Sequence, residues 1–375
     1  MTRSQKNIIA VLSLLACALL SAAGIYALQS YRTFASQPLG PALPIAAQTL
    51  PPTWTPGPVS SLGMVTFAPT ISFDTNTPLV RTTCGGPAVM NIVVIGADSR
   101  SDTYQYGLGD VIRLVRVDFV TPKVTVLEFP RDLWVEIPYI SDNINGQDHE
   151  KLNQAYLYGQ PGDGFHYWDD PSAGPGLLSL TLNLNFGVQA DHYVAVNMRT
   201  FVNVVNAVEG IDLYVPDETT AENTGLPIGK NHLNGDEALK VARNREEGVF
   251  ERANNQNRVL CALRKKLTSP NVVTKIPGLI DSFQDNILTD FTPEQLGQLA
   301  CIGTKLPPQN ITFASFPQEL FKDSRIYDPV FKKNVFYWDV DFNILRDYVT
   351  RFHAGTWPEP DIITIEEEEP EITCE

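Results

Sequence analysis

The chain has 375 residues, 43% of them hydrophobic, and its 28 Lys and Arg against 43 Asp and Glu leave a net charge of −15. That is enough apolar material for one large core, and the negative balance argues against nucleic acid as the main partner. Eight of the excess negative charges fall in Phe352 to Glu375, which has no Lys or Arg, so residues 356–375 read as a disordered acidic tail.

Ile8 to Leu28 is an uncharged run of 21 residues. As a helix it would span about 30 Å, one bilayer core. Arg3 and Lys6 precede it, so the positive-inside rule places residues 1–28 as a cytoplasmic stub and single-pass anchor, with the rest of the chain on the extracytoplasmic side. Small residues at Ser21-Ala22-Ala23 keep a cleaved signal peptide as the rival reading. Residues 29–87 are rich in Pro, Thr and Ser and read as a linker, in which Ile71-Ser72-Phe73 offers a short strand.

The globular part is expected over 88–355. Strand-like runs come first, at 89–95, 111–119, 123–129 and 133–137. Helix is expected from Lys151 onward and over 174–186, a strand over 191–197, helix over 200–208 and a strand over 210–216. Asn234-Gly235-Asp236-Glu237 has the form of a capping box. A loop at 248–252 precedes a helix over 253–267. A helix capped at Thr292 and a strand at 311–316 follow. The alternation predicts an α/β fold: a three-layer α/β/α domain with a mixed central sheet, preceded by one transmembrane helix.

The candidate site lies at strand ends. The run Asn91-Ile92-Val93-Val94-Ile95 delivers Asp98 and Arg100 at its carboxyl end, where open α/β sheets place their ligands. Asp110 opens the next strand, and Arg131-Asp132 follows the third. Two carboxylates and an arginine at one sheet edge suit a divalent metal holding a phosphate or diphosphate. Arg243 and Arg245 share a side in an extended stretch, and Arg252 and Gln256 share a helix face. Arginine forks match phosphate oxygens. Taken singly, each arginine is as readily a surface ion pair.

Little else has a catalytic pattern. The five histidines are scattered, His192 at a strand start reads as structural, and no G-x-G-x-x-G occurs. Cys84, Cys261, Cys301 and Cys374 would lie outside the membrane, where disulfides persist. At least one bridge is expected, with Cys261 to Cys301 favoured because both lie on expected helices.

Asn91 to Arg100, Pro130-Arg131-Asp132, Lys151-Leu152-Asn153, Asp191-His192-Tyr193-Val194, Gly210-Ile211-Asp212 and His232 through Arg245 resemble the LytR-CpsA-Psr family in order and spacing, over about Met90 to Leu267. The resemblance implies a phosphotransferase outside the membrane, moving a glycopolymer from a polyprenyl-diphosphate lipid to a cell-wall or envelope acceptor. It implies Mg²⁺ (or Mn²⁺) on Asp98 and Asp110. Arg131, Asp132, Arg243 and Arg245 would be catalytic, with Arg100, Arg252 and Gln256 binding substrate. Three positions depart from the family pattern: Leu108 and Asn255 stand where it has Arg, and Val249 where it has Asp. Less positive charge then faces the diphosphate, and a non-catalytic binder of the lipid-linked polymer is the second reading. Strand parity turns Arg113 away from Asp110, so Arg100 is the residue expected to compensate for Leu108.

Overall fold

The computed structural model describes residues 20–44, 81–99, 107–269 and 287–359, less positions 22, 145, 163, 164 and 245–248 and the side chains of 249 and 250. Most of the expected anchor, the Ile71–Phe73 strand, Arg100, Arg245 and nearly all of the acidic tail lie outside the described residues. Among the described residues no helix is long and apolar enough to cross a membrane. Helix α1 (23–36) extends past the expected anchor into the stretch read as linker, and Ile25, Leu28 and Phe34 on it are exposed. The chain after α1 docks on the domain, where the Leu39 amide donates to the Phe291 carbonyl at 2.9 Å.

One mixed sheet organises the domain. Its strands are β1 (Val89–Ala97), β2 (Gly109–Asp118), β3 (Lys123–Glu128), β6 (His192–Asn197), β9 (Ile287–Thr289) and β10 (Ile311–Ser315), in the order β10-β3-β2-β1-β6-β9. β1 and β6 are parallel, as are β3 and β10, while β2 and β9 run against their neighbours. The carboxyl ends of β1, β3, β6 and β10 therefore share one edge. Val93, Ile95, Ile112, Leu114 and Leu127 face one side of the sheet, and Met90, Ile92, Val117 and Val126 the other. Both faces are buried, which is why the strands read as nearly continuous apolar runs.

The first face is covered by α2 (Leu152–Gly159), α3 (Ala173–Phe186) and the terminal α9 (Phe342–Ala354), whose Leu345, Val349 and Phe352 are fully buried. The second is covered by α4 (Met198–Ala207), α6 (Gly235–Ala242), α7 (Val249–Leu267) and α8 (Pro293–Lys305). The expected α/β architecture with a mixed central sheet is what the chain forms. Among the described residues, three strand pairs stand outside the sheet: β4 (Trp134–Glu136) with β5 (His149–Lys151), β7 (Ile211–Val215) with β8 (Gly229–Leu233), and β11 (Lys322–Asp328) with β12 (Lys333–Asp339). A short helix α5 (Glu218–Thr224) follows β7.

The Asn234–Glu237 capping box at α6 is present in both directions. At α8 the box is closed by Thr292 and Gln295. Two expectations need correction. The loop placed at 248–252 is helix from Val249 onward, because Arg258 reaches back to Glu251 at 2.8 Å and Asn254 bonds the same side chain, tying down that first turn. Cys301 pairs with Cys84, not with Cys261: a 3-10 turn at Thr83–Gly85 packs against α8 and brings the two Cα atoms to 5.9 Å, within bridging range.

Candidate active site

The register between β1 and β2 slips at their site end. Gly96 partners Val111, but Ala97 partners Gly109, so Asp110 is the extra residue of a β-bulge. A bulge re-aims side chains, and here it puts Asp110 on the sheet edge, in reach of both faces. Gly109 suits the close approach: a Cβ there would lie 3.2 Å from the Cβ of Tyr156, so that side chain would have to shift by a few tenths of an ångström.

Toward the first face, Asp110 Oδ2 meets Arg131 Nη1 at 2.5 Å and Oδ1 accepts from Asn153 Nδ2 at 3.3 Å. Arg131 Nε in turn donates to Asp132 Oδ2 at 3.2 Å, and Lys151 Nζ donates to Asp132 Oδ1 at 2.7 Å. Burial pushes the Asp132 carboxyl up, but the Lys151 hydrogen bond and the Arg131 charge outweigh it and hold it below the usual carboxylate range. For Arg131, burial works against the charge, and Asp110 and Asp132 more than restore it. With both oxygens engaged and its affinity for a proton lowered, Asp132 is suited to orienting Arg131 and Lys151 rather than to acting as a base.

Asp98, one residue past β1, is fixed by the backbone of Leu108. Its Oδ1 accepts from the Leu108 amide at 2.8 Å, and the Leu108 carbonyl accepts from the amides of Asp98 and Asp110, each at 3.0 Å. Leu108 thus staples both aspartates through its main chain, while its side chain packs against the core.

Toward the second face, Asp98 and Asp110 line a cavity, part of it open to solvent, between the sheet and α4, α6 and α7. Its walls are apolar: Val94, Val111, Val196, Phe201, Leu239 and Val259 among others. Arg243, Arg252 and Gln256 also line it, so the expected sharing of one helix face by Arg252 and Gln256 brings both to the cavity. Arg243 is the C-cap of α6 and is exposed.

Arg113 lines the same cavity, against the parity expectation. The bulge is the reason, since alternation counted from Asp110 is off by one. Its guanidinium donates to Asn257 Oδ1 at 2.6 Å, Glu128 Oε2 at 2.8 Å and Gln256 Oε1 at 3.0 Å. Asn255, standing where the family pattern has Arg, is buried and donates to the Asn223 carbonyl at 2.7 Å, tying α7 to α5. Sequence pattern also passes over Lys151 and Asn153 as site residues. Their one signal is their place in the Lys-Leu-Asn motif just before α2.

Among the described residues no group of three or more His, Cys, Asp or Glu side chains could hold a metal. The hard oxygen donors Asp98 and Asp110, both lining the cavity and both tied to the Leu108 backbone, nevertheless fit Mg²⁺ or Mn²⁺, which are commonly held by one or two carboxylates together with substrate phosphates.

A profile of the LytR_cpsA_psr family matches residues 76–351. Among curated proteins, the chain is 27% identical over 210 residues to the polyisoprenyl-teichoic acid–peptidoglycan teichoic acid transferase TagU of Bacillus mycoides, covering 55% of this chain and 62% of that protein. It is 29% identical over 210 residues to the regulatory protein MsrR of Staphylococcus aureus, covering 54% of this chain and 57% of that protein. The chain thus spans less than two thirds of either relative. The crystal structure of B. subtilis TagV superposes with a TM-score of 0.53 at 24% identity, over 72% of this chain and 98% of that one. TagT bound to LI-WTA superposes with a TM-score of 0.52 at 20% identity, over 72% and 91%. These likenesses show the same fold.

Proposed function

The chain belongs to the LytR_cpsA_psr family, and on that premise we propose that it is an extracytoplasmic phosphotransferase, anchored by Ile8 to Leu28, that moves a glycopolymer from a polyprenyl-diphosphate lipid to a cell-wall acceptor. The observation that carries this reading is the joining of an apolar cavity to a charged sheet edge. Val94, Val196, Phe201 and Leu239 would bury a polyprenyl chain, and Asp98, Asp110, Arg131, Arg243 and Arg252 would meet the diphosphate where that chain ends. The relative named as a polyisoprenyl-teichoic acid–peptidoglycan teichoic acid transferase supports it.

In this reading an acceptor hydroxyl attacks the phosphorus nearer the glycan, and lipid phosphate leaves. Arg131, held on both sides by Asp110 and Asp132, is pre-oriented to neutralise charge on the transferred phosphoryl group. Arg243 and Arg252 would do the same for the departing lipid phosphate, and Arg100 and Arg245 are assigned to the same charge. Asp98 and Asp110 would hold Mg²⁺ or Mn²⁺, which supplies charge neutralisation to the diphosphate when bound. Arg131 is already paired in this arrangement, so substrate must displace or share its contact with Asp110.

The test is release of polyprenyl phosphate from a polyprenyl-diphosphate saccharide by the full chain in detergent, with and without Mg²⁺ and acceptor. Metal-dependent release, lost in Asp98→Ala, is expected. Tight binding without release would favour a non-catalytic polymer-binding protein, which the departures at Leu108 and Asn255 also motivate.

A further inference from the structure

We infer that the outward face shared by β4, β5 and β12 is a saccharide-binding strip that seats the acceptor glycan, an assignment that rests on the transfer reading above. Trp134 follows the Pro130-Arg131-Asp132 turn by two residues. Its ring lies 6.3 Å from that of Tyr337 on β12, tilted by 56°. Both rings are partly exposed. A parallel bridge between Leu133 and Trp338 fixes β12 beside β4 and turns those two side chains inward, so Trp134 and Tyr337 share the outward side.

Lys151 joins the strip to the reacting centre. It is the register partner of Trp134, its Nζ lies 2.7 Å from Asp132, and it sits 5.8 Å above the Phe336 ring. The next register pair outward is Glu136 with His149, both solvent-accessible. A sugar ring has apolar C–H faces and a rim of hydroxyls. Partly exposed aromatic faces flanked by a carboxylate, an imidazole and an ammonium match both parts. An apolar ligand laid over the same strip would strip water from those charged groups without replacing it.

Direction selects the acceptor over the donor. Leu133 and Val135 belong to the core of the first sheet face, whereas the apolar cavity opens on the second. In phosphoryl transfer the attacking and leaving oxygens lie roughly in line. If lipid phosphate departs toward the cavity, the hydroxyl arrives from the side of Lys151 and Trp134. Its oxygen bonds to the glycan-side phosphorus, the bond to the bridging oxygen breaks with its electron pair leaving on lipid phosphate, and the hydroxyl proton passes to water.

The experiment titrates the full chain in detergent with a β-1,4-linked N-acetylglucosamine tetrasaccharide and, separately, with a polyprenyl-diphosphate saccharide, without turnover. Tyr337→Ala should weaken the tetrasaccharide about tenfold, Tyr337→Phe within twofold, and neither should change the lipid's affinity. Thermal melting of both variants separates lost stacking from lost folding. No saturable tetrasaccharide binding, or equal binding by Tyr337→Ala, overturns the strip. Loss of lipid-saccharide affinity in Tyr337→Ala assigns the strip to the donor and overturns the acceptor assignment. Failure of the transfer reading is distinct: no lipid phosphate is released under any condition, while tetrasaccharide binding still depends on Tyr337.

Discussion

Arg113 on β2 and Asn257 on α7, 144 residues apart in sequence, meet at 2.6 Å beneath the cavity. The same guanidinium holds Glu128 and Gln256, so one side chain ties β2, β3 and α7 together. Arg113 is only 2% exposed. Arg113→Ala would leave three buried or half-buried acceptors without their donor. A loss of about 3 kcal/mol in folding stability is expected, read from the denaturant midpoint. Arg113→Lys cannot reproduce the fork and should recover only part of it.

The contrast between Arg113 and Asp98 marks what pattern reading reaches. Asp98 is legible because Ile92 to Ile95 is an unbroken apolar run whose end is visible in sequence. Arg113 was misplaced because one inserted residue at Asp110 reverses parity, and a bulge leaves no signature in composition. Lys151 and Asn153 escaped for another reason. They sit on a three-residue strand and the first turn of α2, too short for any period to show. The β11–β12 hairpin is missed because Tyr327, Phe331 and Phe336 alternate with Lys, Asp and Asn at no core-facing rhythm; it leans on β4 instead of on the sheet. Cys84, one of the four candidates, is not the favoured partner because it lies outside every expected helix and strand.

Asp132 bridges Arg131 and Lys151, and its substitution separates orientation from charge. Asp132→Asn keeps the shape but loses the ion pairs. Transfer should fall about 10- to 100-fold, a typical cost for a supporting residue, with little change in acceptor or lipid affinity. Because the Asp132 pKa is depressed, its ion-pair contribution is complete above the ordinary carboxylate range and is lost only as pH falls through the lowered value. The rate between pH 6 and 8 should therefore show no inflection from this group. An inflection that vanishes in Asp132→Asn would make Asp132 a base and overturn the orienting role.

The Cys84–Cys301 bridge closes a loop across 217 residues. In the chain-entropy model such a loop restricts the unfolded chain by about 5 kcal/mol, an upper figure for engineered or native bridges. Cys84→Ser should lower the melting temperature by several degrees. Reduction of the unaltered protein should lower it at least as much, since Cys261 is disulfide-bonded too, and reduction should lower the variant less. An unchanged melting point would mean that burial of α8 alone holds the turn.

The last prediction concerns a buried carboxyl pair away from the proposed chemistry. Glu150 on β5 and Asp328 at the end of β11 are both fully buried. Asp328 Oδ1 accepts from the amides of Val330 and Phe331. Glu150 takes the proton: burial first, then the Asp328 charge, pushes it up to about 8. Gln154 donates to Glu150 Oε2 at 3.0 Å, and Tyr158, itself raised by burial, stays neutral beside it. A carboxyl with a raised folded pKa stabilises the fold below the unfolded value near 4.5 and loses that contribution as pH rises toward 8. Stability should therefore decline across pH 5 to 8. Glu150→Gln keeps a donor toward Asp328 and an acceptor for Gln154 while removing the titration. The variant should match the parent near pH 5 and exceed it by about 2 kcal/mol at pH 8, measured by urea unfolding at both values. A constant difference between the two proteins at every pH would mean that Glu150 is already ionised in the fold and that the pair is held by groups other than a shared proton.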